Sequence, residues 1–435
     1  MTDAAALLAE PVPLPCGATL PNRLAKAAMT ERLADPAGLP TPRHERLYRA
    51  WSEGGAGLLI TGNVMVDRDH LEAPGNVVLD GPSSPALRTA LASWAKAATA
   101  AGNHAWVQLS HSGRQTPIIV NKTPKAPSPI PVALPGKQFG VPVALTEPEI
   151  GALIERFASA AETVRDAGFT GVQIHAAHGY LLSSFLSPRA NERTDSWGGD
   201  LAGRARLLLE IVRAVRGRVG DDFPVSVKLN SADFQRGGFA WEDSRTVASW
   251  LDAEKIDLLE ISGGSYEQPA MMKLAGLEPV SEPNLPASTR AREAYFQKFA
   301  PDIRAVLTRA KLMVTGGFRT ADGMAEAVRQ DGVDVIGLGR PLSTHPDAPR
   351  RLLDGGESMP RWEDRLRLGR HWFGPSSPVP MLRAVNGFAV QGWYYEQLQR
   401  LADTGRPDTT LSVFRAFLAD QRGTRRRARA RASQR

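Results

Sequence analysis

The chain has 435 residues, 42% of them hydrophobic and 23% charged, ordinary proportions for one large globular domain or two. Its single cysteine, Cys16, excludes an internal disulfide and a cysteine-ligated iron–sulfur cluster. The net charge of +7 equals the seven arginines of residues 422–435, a stretch without acids, so the rest of the chain presents no basic nucleic-acid face.

The first residues have neither the basic start nor the apolar run of a secretory signal, and no apolar stretch approaches the ~20 residues of a membrane helix. The expectation is a cytoplasmic enzyme with no membrane or specific nucleic-acid partner. Short apolar runs alternate with longer helical patterns, which predicts a parallel sheet. Strands are expected near residues 24–29, 57–61, 104–109, 171–175, 224–229, 257–261, 311–315 and 334–338. Helical patterns lie near residues 42–53, 83–101, 147–167, 201–219, 242–254, 291–309, 320–330 and 344–354. Thr146-Glu147-Pro148-Glu149 opens the third with an N-cap, an early proline and acids in the first turn. Eight strand–helix units predict an α/β fold, a (β/α)8 TIM barrel over residues 1–354, with reactive groups at the carboxy-terminal strand ends.

Two pieces break the alternation. Residues 112–145 hold seven prolines between Pro117 and Pro142, too many for a helix interior, and predict either a cap over the barrel mouth or a passive surface excursion. Residues 355–421 predict a helical extension whose aromatics, Trp372-Phe373 and Trp393-Tyr394-Tyr395, suit packing on the barrel or on a second subunit of a homo-oligomer. The Arg-rich residues 422–435 predict a disordered, solvated tail.

Every predicted strand exit carries polar, cationic or glycine residues: Met29-Thr30, Gly62-Asn63, Gln108 with His111, Lys228 with Asn230, Gly263-Gly264, Gly316-Gly317 and Gly339-Arg340. The fourth exit is the richest, with His175, His178 and Tyr180 inside six positions. Two imidazoles and a phenol at one strand end polarise a carbonyl and deliver a proton, which a packing surface does not need. Val314-Thr-Gly-Gly-Phe318 and Ile336-Gly-Leu-Gly-Arg340 form a phosphate cradle on consecutive strands, glycine amides with an arginine. No strand leads into a Gly-x-Gly-x-x-Gly helix start, which argues against a resident dinucleotide on a Rossmann unit.

From about Leu20 to Leu342 these motifs resemble the Old Yellow Enzyme family of FMN-dependent ene reductases. The carriers are Asn22-Arg23 through Met29-Thr30, residues 57–62, 107–114 and 227–229, His175-Ala-Ala-His-Gly-Tyr180, the run from Ser187 to Gly199, and the two glycine turns. The resemblance implies a tightly but non-covalently bound FMN, NADH or NADPH as transient reductant, and an enone-type small-molecule substrate. It implies that Ala28, Met29 and Thr30 lie along the flavin, with Thr30 near its O4/N5 edge. Gly62 would let the ring approach the backbone, Gln108 would bind the pyrimidine edge, and Lys228 would place positive charge near N1/O2. Gly316, Gly317, Gly339 and Arg340 would hold the phosphate. His175 and His178 would grip the substrate oxygen while Tyr180 donates a proton. Three positions depart from the family pattern: Ala28 stands where proline is common, Lys228 where arginine is frequent, and Thr30 where one branch has cysteine. Asn63, Tyr266 and Met271 are weaker candidates for the pocket wall.

Other readings remain open on the sequence. An FMN oxidase or dehydrogenase of hydroxy acids uses the same barrel but needs a base. A metal-dependent barrel hydrolase would take His175 and His178 as ligands, although no strand end offers an acidic third ligand. A binding or scaffold protein would work through the aromatic extension and the Arg-rich end.

Overall fold

The apolar runs become parallel strands in a computed structural model that describes residues 2–134, 137–263, 299–369, 371, 374–375 and 377–434. They are β1 (Leu24–Lys26), β2 (Leu58–Met65), β3 (His104–Ser110), β4 (Gly171–Ala176), β5 (Val225–Asn230), β6 (Leu258–Ser262), β7 (Lys311–Thr315) and β8 (Val335–Leu338). Each pairs in parallel with the next, and β1 closes the sheet by pairing with both β2 and β8. The helices α1 (Pro42–Ser52), α2 (Pro85–Ala98), α3 (Glu147–Asp166), α4 (Leu201–Val219), α5 (Trp241–Ala253), α6 (Ala300–Arg304), α7 (Ala321–Gln330) and α8 (Ala348–Leu353) follow in turn. The fold is the expected (β/α)8 barrel. Residues 291–298 of the sixth predicted helix, with Gly264, Tyr266, Met271, Trp372 and Phe373, lie outside the described residues.

Side-chain alternation along each strand separates two cores. Leu59, Val107, Val172, Leu259, Leu312 and Ile336 point outward into the layer beneath the helices. Leu58, Ile60, Trp106, Leu258, Met313 and Val335 point inward and cluster with Val12 and Leu20. Those two belong to an amino-terminal ribbon, Val12–Pro13 paired with Thr19–Leu20, which plugs the bottom of the barrel. One layer higher the inward positions turn polar: Gln108, Gln173, Lys228 and Glu260 are all buried. A polar layer at this depth is costly unless paired, so it marks where the interior is built for something other than stability.

Local signals behave as their chemistry dictates. Thr146 Oγ1 accepts from the Glu149 amide at 3.4 Å while Glu149 Oε2 accepts from the Thr146 amide at 2.8 Å, a reciprocal cap on α3. The β2–β3 register shifts between Ile60 and Asn63, and the Gln108 amide bonds the Thr61 hydroxyl at 3.0 Å. Such a bulge re-aims the strand end beside the barrel mouth.

Beyond the barrel, α9 (Pro380–Thr404) and α10 (Val413–Ala432) form a hairpin. Gly405, at φ 71°, ends α9 in the left-handed conformation glycine tolerates. Arg43 of α1 holds Asp403 with two bonds, at 2.6 and 2.9 Å, and Arg46 reaches the Ala402 carbonyl at 2.7 Å. The Arg-rich end differs from its expected disorder, since residues 422–432 are the second half of α10. Alanine and arginine are strong helix formers, Ala428 is buried, and Arg427 donates to the Pro74 carbonyl at 3.1 Å. No helix among the described residues is long and apolar enough to cross a membrane.

Candidate active site

The carboxy-terminal strand ends open into a cavity of about 510 Å³. Ala28, Met29, Thr30, Gln108, His175, His178, Tyr180, Lys228, Gly316, Gly317, Gly339 and Arg340 all line it, as does Asn63. Gly62 does not line it. A Cβ at Gly62 would strike the Glu31 carboxylate and the Met29 carbonyl, and its amide donates to Glu31 Oε1 at 2.9 Å. In the structure the close approach that Gly62 permits is to the 28–31 loop. Behind that loop the Tyr48 hydroxyl also donates to Glu31, and Lys26 Nζ lies 3.7 Å away. Burial lowers the Lys26 ammonium to about 8, against the pull of Glu31.

The floor is a connected polar layer. Strand register sets His175, Lys228 and Glu260 side by side. Gln108 Nε2 donates to Gln173 Oε1 at 2.7 Å, Gln173 Nε2 donates to Glu260 Oε2 at 2.9 Å, and Lys228 Nζ pairs with Glu260 Oε1 at 2.9 Å. Lys228 thus brings its counter-ion with it, and the positive charge expected at the floor is partly offset. Glu260 was not expected from motif reading, although an acid inside Leu258-Leu-Glu-Ile-Ser262 is the kind of anomaly that flags a buried pair.

Above the floor stand the aromatic donors. The His175 ring lies 5.1 Å from that of His178 and 4.9 Å from that of Tyr180, both edge-on. The Ala177 amide donates to His175 Nδ1 at 3.1 Å, so the neutral ring carries its proton on Nε2. Burial, then the Lys228 ammonium, hold His175 well below the usual imidazole range. The same causes act on His178, with His175 adding to them. His178 adopts φ 64°, a conformation disfavoured for a side chain. It is held there by Asn230, which accepts its amide at 3.0 Å, and by Gln115, which donates to its carbonyl at 2.8 Å. Its Nε2 lies 2.8 Å from Ser262 Oγ.

The far wall carries glycines and guanidinium groups. Gly316 and Gly317 have φ of 112° and 96°, open to glycine, at the end of β7. A Cβ at Gly339 would meet only Met29 Sδ, at 4.0 Å, so that wall is hollow. Arg340 follows on a turn fixed by Trp51, whose indole donates to the Leu342 carbonyl at 2.9 Å. The buried Arg319, absent from the expected site, joins the lining. Its signal was position, directly after Gly316-Gly317-Phe318.

One side of the cavity comes from outside the barrel. Asn386, Val390, Gln391, Tyr394, Tyr395 and Leu398 of α9 line it. They fall three or four apart on one helical face. The extension, whose aromatics were expected to pack on the barrel or on a second subunit, is also a cavity wall. Residues 112–145 contribute no lining residue among those described, yet Gln115, from this stretch, is buried and braces the His178 loop at the barrel mouth.

Asp67, His70 and His111 form the one described group with metal-like proximity, and none of them lines this cavity. The Lys125 amide donates to His70 Nε2 at 2.8 Å and the Gly113 amide to His111 Nδ1 at 3.1 Å. The nitrogens facing Asp67 therefore carry protons in the neutral rings, which suits hydrogen bonds to its carboxylate and not a cation.

The residues present fit a phosphorylated, planar cofactor. Asn63 Oδ1 and Thr315 Oγ1 are buried lining atoms with no partner among the described residues, and the far wall offers glycine amides and guanidinium groups. Fold and site together define a barrel whose mouth has the lining a phosphate-bearing cofactor requires.

Residues 8–358 match the NADH:flavin oxidoreductase / NADH oxidase family. An NADH-dependent flavin oxidoreductase of Talaromyces variabilis, iccE, is 34% identical over 421 residues, covering 92% of this chain and 99% of that protein. Another from Aspergillus parasiticus, nadA, is 38% identical over 346 residues, covering 77% of this chain and 76% of that protein. The solved Old Yellow Enzyme homologue of Zymomonas mobilis superposes with a TM-score of 0.66 at 27% identity, covering 80% of this chain and 92% of that one. The chain belongs to this family, that of Old Yellow Enzyme. It is an NAD(P)H:flavin oxidoreductase whose cofactor is FMN.

Proposed function

We propose that the enzyme reduces the carbon–carbon double bond of α,β-unsaturated carbonyl compounds, taking electrons from NADH or NADPH in a ping-pong cycle. FMN, when bound, supplies the two-electron redox chemistry. Gln108 and Lys228 would hold its polar ring edge, Ala28, Met29 and Thr30 would flank it, and Gly316, Gly317, Gly339 and Arg340 would hold its phosphate. One observation carries the reading: a neutral imidazole with its proton on Nε2 stands beside a second imidazole and a phenol above the polar floor.

His175 and His178 hydrogen-bond the substrate's carbonyl oxygen and draw electron density from the β-carbon. The bonds tighten as enolate charge builds on that oxygen, and each preorganised donor contributes about 3–4 kcal/mol in the transition state. Tyr180 gives its proton to the α-carbon. The hydroxy-acid alternative needs a base that retains a proton near neutral pH, and an imidazole held far below its usual range is a poor one.

Anaerobic incubation with NADH and 2-cyclohexen-1-one tests the reading. The expected result is saturated ketone formed mole for mole with NADH oxidised. NADH oxidation only under oxygen, with no enone of a varied panel consumed, overturns it.

A further inference from the structure

Tyr394 faces the cavity from α9, is 7% exposed, and its hydroxyl has no hydrogen-bond partner among the described residues. A buried phenolic donor left unmade is expensive, so it points to a ligand. Its surroundings say which chemistry that ligand has. The Arg340 guanidinium lies 5.8 Å from the Tyr394 ring centroid. Arg319, on the same wall, is oriented by Glu363 at 2.5 Å and by the Phe318 carbonyl at 2.7 Å. The acids Glu363 and Asp364 also line this wall, with Glu363 engaged by Arg319. Burial raises the phenol above its ordinary range, so it stays a donor at physiological pH. An O–H that shares one cavity with two guanidinium groups and the Gly316-Gly317 turn is answered by an oxyanion with several acceptor oxygens.

We propose that the Tyr394 hydroxyl is a ligand of the FMN phosphate, supplied in cis by the carboxy-terminal extension. The barrel strands provide the glycine turns and Arg340, and α9 closes the remaining side. The hairpin is therefore part of the cofactor site and not an appendage. This rests on the reading that FMN occupies the cavity, and the test separates the two.

Apo-protein is titrated with FMN and with riboflavin, which lacks the phosphate, and flavin fluorescence quenching reports binding to wild type and to Tyr394→Phe. The melting temperature of each apo-protein checks that the variant is folded. Wild type is expected to prefer FMN. Tyr394→Phe is expected to weaken FMN by roughly tenfold or more, the loss of one hydrogen bond to a charged group, with riboflavin binding unchanged. Unchanged FMN affinity overturns the assignment of Tyr394, and so does an equal loss for both flavins, which reports packing. Wild type that binds neither flavin overturns the occupancy reading beneath it.

Discussion

The role proposed for His175 rests on one backbone hydrogen bond: with Nδ1 taken by the Ala177 amide, Nε2 is left as the donor. Burial keeps the ring neutral, so the donor is present throughout the physiological range. Tyr180→Phe keeps the ring contact with His175 and removes the acid. It is expected to slow reoxidation by enone more than reduction by NADH in stopped-flow traces, and the opposite ranking contradicts proton donation. The buried histidines also set a pH dependence of stability. His44 is lowered to about 3 and His111 to about 4, chiefly by burial, and His175 and His178 also lie low. Below the unfolded value of ~6.5 the unfolded chain binds protons that the folded one refuses. Stability is thus complete above that pH, falls by about 1.4 kcal/mol per pH unit per histidine beneath it, and levels off below the folded values. A melting temperature steady from pH 8 to 7 and falling from 6.5 to 5 is expected; a flat profile to pH 5 contradicts the burial of these rings. The His175, His178 and Tyr180 cluster was legible in the sequence because the three crowd one strand exit. Glu260 and Arg319 left only the signals of place, inside an apolar strand and after a glycine turn, because a single charge carries no spacing of its own.

At the scale of elements, the eight strands could be read because branched apolar runs bounded by polar exits are what a buried parallel strand requires. Gly62 shows the limit: the sequence marks a close approach without saying what approaches. Gly62→Ala should displace the 28–31 loop and cost about 1–3 kcal/mol, seen as a lowered melting temperature. A melting temperature equal to wild type contradicts the contact. The role of α9 was hidden for a different reason. Its cavity face is defined by where the helix docks, through the Arg43–Asp403 ion pair and the Arg46 bond to the Ala402 carbonyl, and such long-range bonds leave no local pattern. Trp393, fully buried against α10 and bonded to the Leu411 carbonyl at 2.8 Å, anchors the hairpin. Trp393→Ala should cost about 3–5 kcal/mol and loosen flavin retention, measured by melting and by flavin released on gel filtration. Full retention at wild-type stability contradicts a structural role for the hairpin.

Across the whole molecule, a closed barrel stacks three layers at three depths. An apolar plug seals the bottom, the Gln108–Gln173–Glu260–Lys228 layer forms the floor, and the His175–His178–Tyr180 set stands at the mouth beneath α9. The central claim is that this mouth couples a bound flavin to an acceptor gripped by the two imidazoles. The most direct measurement is the anaerobic flavin spectrum during addition of NADH and then an enone, for wild type and for His175→Ala with His178→Ala. Wild type is expected to bleach with NADH and recover its colour with enone, while the double variant bleaches but recovers at least a hundredfold more slowly. Recovery of the double variant at the wild-type rate, or a folded wild type that takes up no FMN, contradicts the account.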